Sequence, residues 1–217
     1  MSLVRRAVVN NGLLLLTASI VLFPLGTAMC VELTEKIPTA DKFTIRLPSG
    51  WVPIPKADLD ALYAMQKKLA PNEKIQPTAY GFLRSGSDEY PRIMITMRTI
   101  GRIPDEKLQK DFGRFEAGAK QGVSELNYLA PLVSNISLGE SKYDPVHRVI
   151  WMRLQSNVEG QGVIKGIGAL RLTRNGYIQI SCFVKEDSFK SLSPDFIEII
   201  TGLELAPEIE YSPINKK

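Results

Sequence analysis

The sequence predicts an α+β fold, an antiparallel β-sheet sandwiched by helices, and three observations carry that prediction. Val146 to Val184 reads as three consecutive antiparallel strands broken by turn residues. Amphipathic helical stripes are inserted near the start, middle and end of the chain rather than alternating with every strand. Most of the remaining strands carry apolar residues at every second position, the pattern of a sheet with a buried face.

The chain has 217 residues, and residues 1–28 read as a secretory signal peptide: Arg5 and Arg6, an apolar run from Leu13, then Gly26-Thr27-Ala28 as the cleavage site. Two rivals stand beside cleavage. Gly12 to Met29 has the length of a retained membrane anchor. Cys30 is a candidate for lipidation, although Met29 before it is larger than a lipoprotein signal prefers. Each alternative exports the globular part, to the periplasm or the outer face of the cytoplasmic membrane. Residues 29–41 read as a linker, 42–205 as a single α+β domain and 206–217 as a loose tail.

Lys42 to Trp51 begins the domain with Phe43, Ile45 and Leu47 alternating against polar residues, then a Pro-Ser-Gly turn. Trp51 after that turn is a lid for the core or, as the sharper reading, a ligand-stacking ring. Lys56 to Leu69 has the stripe Leu59, Leu62, Met65 and Leu69, with acids in its first turn and Lys67-Lys68 in its last. Pro71 lies beyond its end. Thr78 to Arg84 and Arg92 to Ile100 form two strands, with Ile93, Ile95 and Met97 sharing a face. Pro104 to Gln121 is a helix presenting Leu108, Phe112, Phe115 and Ala119, with Gly122 as its stop. Asn135 to Tyr143 leads into the three strands, and Ser193-Pro194 caps a final helix that buries Phe196, Ile197 and Ile200 before Gly202.

Within the three strands, His147 to Gln155 places Ile150, Met152 and Leu154 on one face and Val149 and Trp151 on the other, which marks a central strand covered on both sides. In the last hairpin an Asn175-Gly176 turn would set Arg171 opposite Ile180, mixing polar and apolar on each face. A three-residue loop, Arg174-Asn175-Gly176, pairs Leu172 with Ile178, Leu170 with Ile180 and Gly168 with Cys182, and sorts the faces. That register is expected, with Gly176 as a left-handed bulge.

The motif Phe43-x-Ile45-x-Leu47-Pro48-x-Gly50-Trp51, the element order after it and the closing stretch Phe196 to Leu205 resemble PsbP-like domains, the family of the photosystem II extrinsic subunit and its bacterial relatives. The resemblance spans residues 42–205. It implies an antiparallel sheet between helical layers and a non-enzymatic binding or assembly role. No site residues transfer, since the matching positions are core and turn.

The chemistry points the same way. Without residues 1–28 the chain keeps 25 bases against 23 acids, scattered, so nucleic acid is not an expected partner. His147 is the only histidine, and no GxSxG elbow accompanies it. Gly160 to Gly168 looks like a phosphate loop but lacks the GK[ST] ending and a following helix, so a twisted strand or close packing over the glycines explains it. The acid pairs Asp58/Asp60 and Asp105/Glu106 sit in helix first turns, where the dipole accounts for them. Cys30 and Cys182 lack a CxxC pattern. Cys182 is a small core residue by default, and pairing of the two stays open in an oxidising compartment.

No residue is therefore assigned as catalytic, cofactor-binding or metal-binding, and no cofactor is expected. The expected function is a non-catalytic envelope protein that binds another envelope protein or a small ligand. It touches the membrane only through the amino-terminal segment. The alternative is a hydrolase-like enzyme with a site assembled around His147.

Overall fold

A computed structural model describes residues 32–69, 76–87, 89–126 and 133–212. The signal segment 1–28, Cys30, Pro71, Pro213 and Lys216-Lys217 lie outside the described residues. The elements run β1 (Leu33–Pro38), β2 (Phe43–Pro48), β3 (Trp51–Pro53), α1 (Lys56–Leu69), β4 (Tyr80–Arg84), β5 (Arg92–Thr99), α2 (Asp105–Leu126) and β6 (Val133–Asp144). They continue with β7 (Val149–Val158), β8 (Gly162–Thr173), β9 (Gly176–Lys185), α3 (Glu186–Thr201) and β10 (Glu204–Leu205).

The architecture is α+β. A seven-stranded antiparallel sheet has the order β3-β4-β5-β9-β8-β7-β6, and a three-stranded sheet has the order β1-β2-β10. Alternation along each strand of the large sheet supplies two separate cores. One face carries Ile93, Ile95, Ile167, Ala169, Ile178, Ile180 and Cys182, and packs on α3 (Phe196, Ile199, Ile200) and on β2 (Phe43, Ile45, Leu47). The other carries Met94, Ile150, Met152, Leu154, Leu170, Leu172 and Tyr177, and packs on α1 through Leu59 and on α2 through Leu108 and Phe115. The three consecutive strands predicted over Val146–Val184 are β7, β8 and β9.

Two-sided burial explains the main departure from the sequence reading. The β8–β9 register sets Leu172 against Tyr177, Leu170 against Gln179 and Ile167 against Cys182. Thr173 pairs with Gly176, so the loop is the dipeptide Arg174-Asn175, neither of the two turns considered. Because each face has its own apolar cover, sorting all apolar residues onto one side was the wrong criterion. Gly176 is a strand residue, not a left-handed bulge. A Cβ there would lie 1.8 Å from the carbonyl oxygen of Arg98, so the glycine lets β5 and β9 close up. The strand read as central, β7, is second from the end of the sheet, and β9 occupies the middle.

Four boundaries also move. The stretch read as a linker contains β1, paired antiparallel with β2. Helix α2 continues through Gly122 to Leu126, because an isolated glycine costs a helix only about 1 kcal/mol, and it bends instead at Asp111 (φ −136°, ψ 37°). Helix α3 starts at Glu186 directly from β9, with Pro194 inside it, and the Ser193 hydroxyl turns to the Lys190 carbonyl at 3.5 Å, the group that Pro194 leaves without an amide. The stretch read as a loose tail packs back through an antiparallel Thr173–Glu210 bridge and through Tyr211, which is 3% exposed. Within α1, Met65 is exposed although the stripe predicted it buried.

The outermost strand β6 pairs with β7 in a register that shifts twice, between Ser134 and Ser137 and between Leu138 and Ser141. The opposite edge, β3, has three residues.

The glycines of β8 are not interchangeable with those of α2. A Cβ on Gly166 would meet the Cys182 carbonyl oxygen at 2.4 Å, whereas one on Gly118 meets nothing within 4 Å. Gly166→Ala is expected to cost about 3 kcal/mol. Gly118→Ala is expected to gain about 0.5–1 kcal/mol. Urea denaturation of the two variants checks both signs.

Candidate functional site

Among the residues singled out by sequence, His147 lies not in β7 but in the turn before it, on a side chain 45% exposed. Its Nδ1 sits 2.7 Å from Oδ2 of Asp144, whose Oδ1 also accepts the backbone N–H groups of Val146 and His147. Burial works against the charge on Asp144, but these hydrogen bonds and the neighbouring imidazole outweigh it and hold the carboxyl below its ordinary range. The pair therefore reads as a turn lock.

One member of each acid pair is held by structural contacts. Asp60 binds the Lys56 ammonium at 2.8 Å. Asp105 accepts from Gln109 at 3.0 Å and from the Tyr143 hydroxyl, while its own amide donates to the Tyr211 hydroxyl at 2.8 Å. Trp51 is buried and meets Phe196 edge-on at 6.4 Å, so its ring is core rather than a stacking platform. The run resembling a phosphate loop spans the β7–β8 turn and the first half of β8. Cys182 is fully buried, and burial pushes its thiol well above the ordinary range. Among the described residues no three of His, Cys, Asp and Glu gather where they could hold a metal ion. No described helix is long and apolar enough to cross a membrane.

The site that sequence reasoning missed lies on the α1/α2 face of the large sheet. Helix α1 covers β4, where Gly81 admits Ile54 and Leu59, and α2 lies against β6 at the far flank. Between them β5, β9 and β8 form a floor whose side chains follow from register. The rows across it are Arg98–Tyr177–Leu172, Thr96–Gln179–Leu170, Met94–Ser181–Gly168 and Arg92–Phe183–Gly166. Directly opposed residues in antiparallel strands share a face, and successive rows are about 7 Å apart.

This floor is chemically mixed where a core would be apolar. Met94, Leu170, Leu172, Tyr177 and Phe183 are buried, yet Gln179 and Thr96 at the centre are only half-buried. Gln179 stands on the middle strand of seven, where a continuous helical layer would exclude water. Gln179 and Thr96 keep partial contact with solvent, so the cover over this row is incomplete. The glycines at 166 and 168 remove side-chain bulk from the β8 side of the floor.

Each end of the floor carries a guanidinium. Arg92 lies 4.7 Å from the Tyr90 ring centroid and donates to the Tyr90 hydroxyl at 3.3 Å. Arg98 is 6% exposed, faces Tyr177, and has a buried Nε with no hydrogen-bond partner among the described residues. Burial presses the Arg98 pKa downward and the Tyr177 pKa upward.

Sequence signals for this face existed. Thr96, Gln179 and Ser181 interrupt apolar strands at alternate positions. In sequence they are polar residues spaced among apolar ones, and only the register brings them onto one face.

No family model matches this chain. No curated protein matches it either. Its fold is similar to the solution structure of cyanobacterial PsbP (CyanoP) from Synechocystis sp. PCC 6803, at 13% identity and a TM-score of 0.49, over 85% of this chain and 99% of that one.

Two outcomes are expected. Iodoacetamide should leave Cys182 unmodified in the native chain and alkylate it in urea, read by mass spectrometry. Asp144 has a depressed folded pKa, so its contribution is present above the unfolded value of about 4 and is lost as pH falls through the folded value. Asp144→Asn should therefore lose about 1 kcal/mol at pH 7 and less at pH 3. Guanidinium titrations at the two pH values measure this.

Proposed function

We propose that this protein is an exported, non-catalytic binding or assembly module of the cell envelope, and that its seat is the opening over Gln179. The single observation that carries the reading is a polar floor, half-open at its centre, on the helix-covered face of a sheet whose opposite face is packed with apolar side chains. Binding sites combine apolar walls with a few placed polar groups, and Met94, Leu170 and Phe183 around Gln179, Thr96 and Ser181 have that composition.

Export rests on the amino-terminal sequence, Arg5-Arg6 followed by an apolar run and Gly26-Thr27-Ala28. The enzymatic alternative gains nothing from the structure, because the acid beside His147 is Asp144 of its own turn, where it accepts backbone amides. The occupant is another envelope protein's protruding segment or a small ligand.

Gln179→Leu removes the amide in favour of an apolar group of similar bulk and is expected to leave both cores intact. The exported chain, purified from the envelope and examined by native mass spectrometry, is expected to carry a bound partner that Gln179→Leu loses at least tenfold. Retention of the same partner by Gln179→Leu would remove this face from consideration. The intact mass of the same preparation distinguishes cleavage after Ala28, a retained anchor and a lipid on Cys30.

A further inference from the structure

The floor's most costly residue is Arg98. A guanidinium stays charged under all ordinary conditions, and taking one out of water without a counter-charge is expensive. Arg98 is buried, and among the described residues it has no ion pair and no hydrogen bond from Nε. The group across from it is the Tyr177 phenol, a neutral donor and not a counter-ion, since burial raises its pKa. Arg92, at the other end of β5, also has an unpartnered Nε, but its guanidinium stacks on Tyr90 and Phe183 and donates to the Tyr90 hydroxyl.

The neighbouring row is the open one. Thr96 follows Arg98 on the same face of β5, and Gln179 follows Tyr177 on β9. A planar fork of donors, a phenol beside it and a hydroxyl and an amide about 7 Å away form a donor-rich corner reached from the opening. Guanidinium forks match the two oxygens of a carboxylate or phosphate.

We propose that Arg98 and Tyr177 form an oxyanion-binding site, which seats the carboxylate or phosphate of a small ligand whose other polar atoms meet Thr96 and Gln179. The bound oxyanion supplies the counter-charge that the chain omits. This inference rests on the binding role proposed for the same face and adds the chemical class of its occupant.

The test uses the exported full chain with inorganic phosphate, acetate and, in a separate arm, vesicles of anionic phospholipid. Saturable shifts of the Thr96, Arg98 and Tyr177 amides and of the Gln179 side-chain amide are expected, with a Kd of about 1 mM for a single simple anion. Arg98→Met should abolish them. Because it removes an uncompensated buried charge, Arg98→Met should also melt no lower than the parent protein without anion. Tyr177→Phe keeps the ring and should weaken anion binding about three- to tenfold. A response to the free anions identifies a soluble ligand, and a response to vesicles alone identifies a lipid headgroup. Both support the site if Arg98→Met removes them. No saturable response in either arm, or shifts that persist in Arg98→Met, overturns it. If the anions fail while Gln179→Leu still loses the native partner, the oxyanion assignment falls and the binding face stands.

Discussion

The structure depends on a sheet that carries an apolar core on each of its faces. β8 and β9 bury most of their residues, with Ile167, Ala169, Ile178, Ile180 and Cys182 in one core and Leu170, Leu172, Tyr177 and Phe183 in the other. Each fully buried aliphatic side chain is worth about 1.5–3 kcal/mol, so neither face can be sacrificed to improve the other. Register is then decided by how two apolar layers are shared, and by backbone closeness at Gly166 and Gly176, where a methyl group would strike a carbonyl. Helix α3 and β2 complete one core, and α1 and α2 the other. The polar floor is tolerable only because the rest of its face is so well covered.

A second constraint ties the end of the chain to that core. The Tyr211 ring takes the Arg102 guanidinium at 4.0 Å and that of Arg148 at 5.3 Å, contacts favourable for a cation over an aromatic face. Its hydroxyl donates to the Ile103 carbonyl and accepts the Asp105 amide, so one side chain fixes the entry to α2. Arg148 also donates to the Tyr211 carbonyl, and the Asn175 carbonyl accepts the amides of Ile100 and Gly101. The loop after β5, the β6–β7 turn and the β8–β9 hairpin thus meet at one end of the sheet, which is the end where Arg98 lies.

Elements with a clean period were legible in sequence. The Phe43, Ile45 and Leu47 alternation, the Leu108 and Phe115 stripe, and the opposed sets on β7 all follow from residue spacing alone. What escaped was decided by distance in sequence. β1 is polar and pairs only because β2 offers an edge. Tyr211 looks like tail until Arg102 and Arg148 enclose it. The hairpin register followed a one-faced rule that a two-faced sheet does not obey. The floor was invisible for the same reason: Thr96, Gln179 and Ser181 are ordinary strand polar residues until α1 and α2 frame them. His147 drew notice as a lone imidazole, and its turn accounts for it.

The broken pairing of β6 has a consequence for how the molecule behaves in a crowded compartment. An open sheet has two border strands, and a border strand can recruit a further strand from another molecule. On β6 the register jumps twice within a few residues, so successive donors fall out of step with the even spacing that an incoming strand needs. At the other border β3 offers too few residues for a stable addition. Neither border thus presents the long, even row of donors and acceptors on which strand-to-strand addition depends.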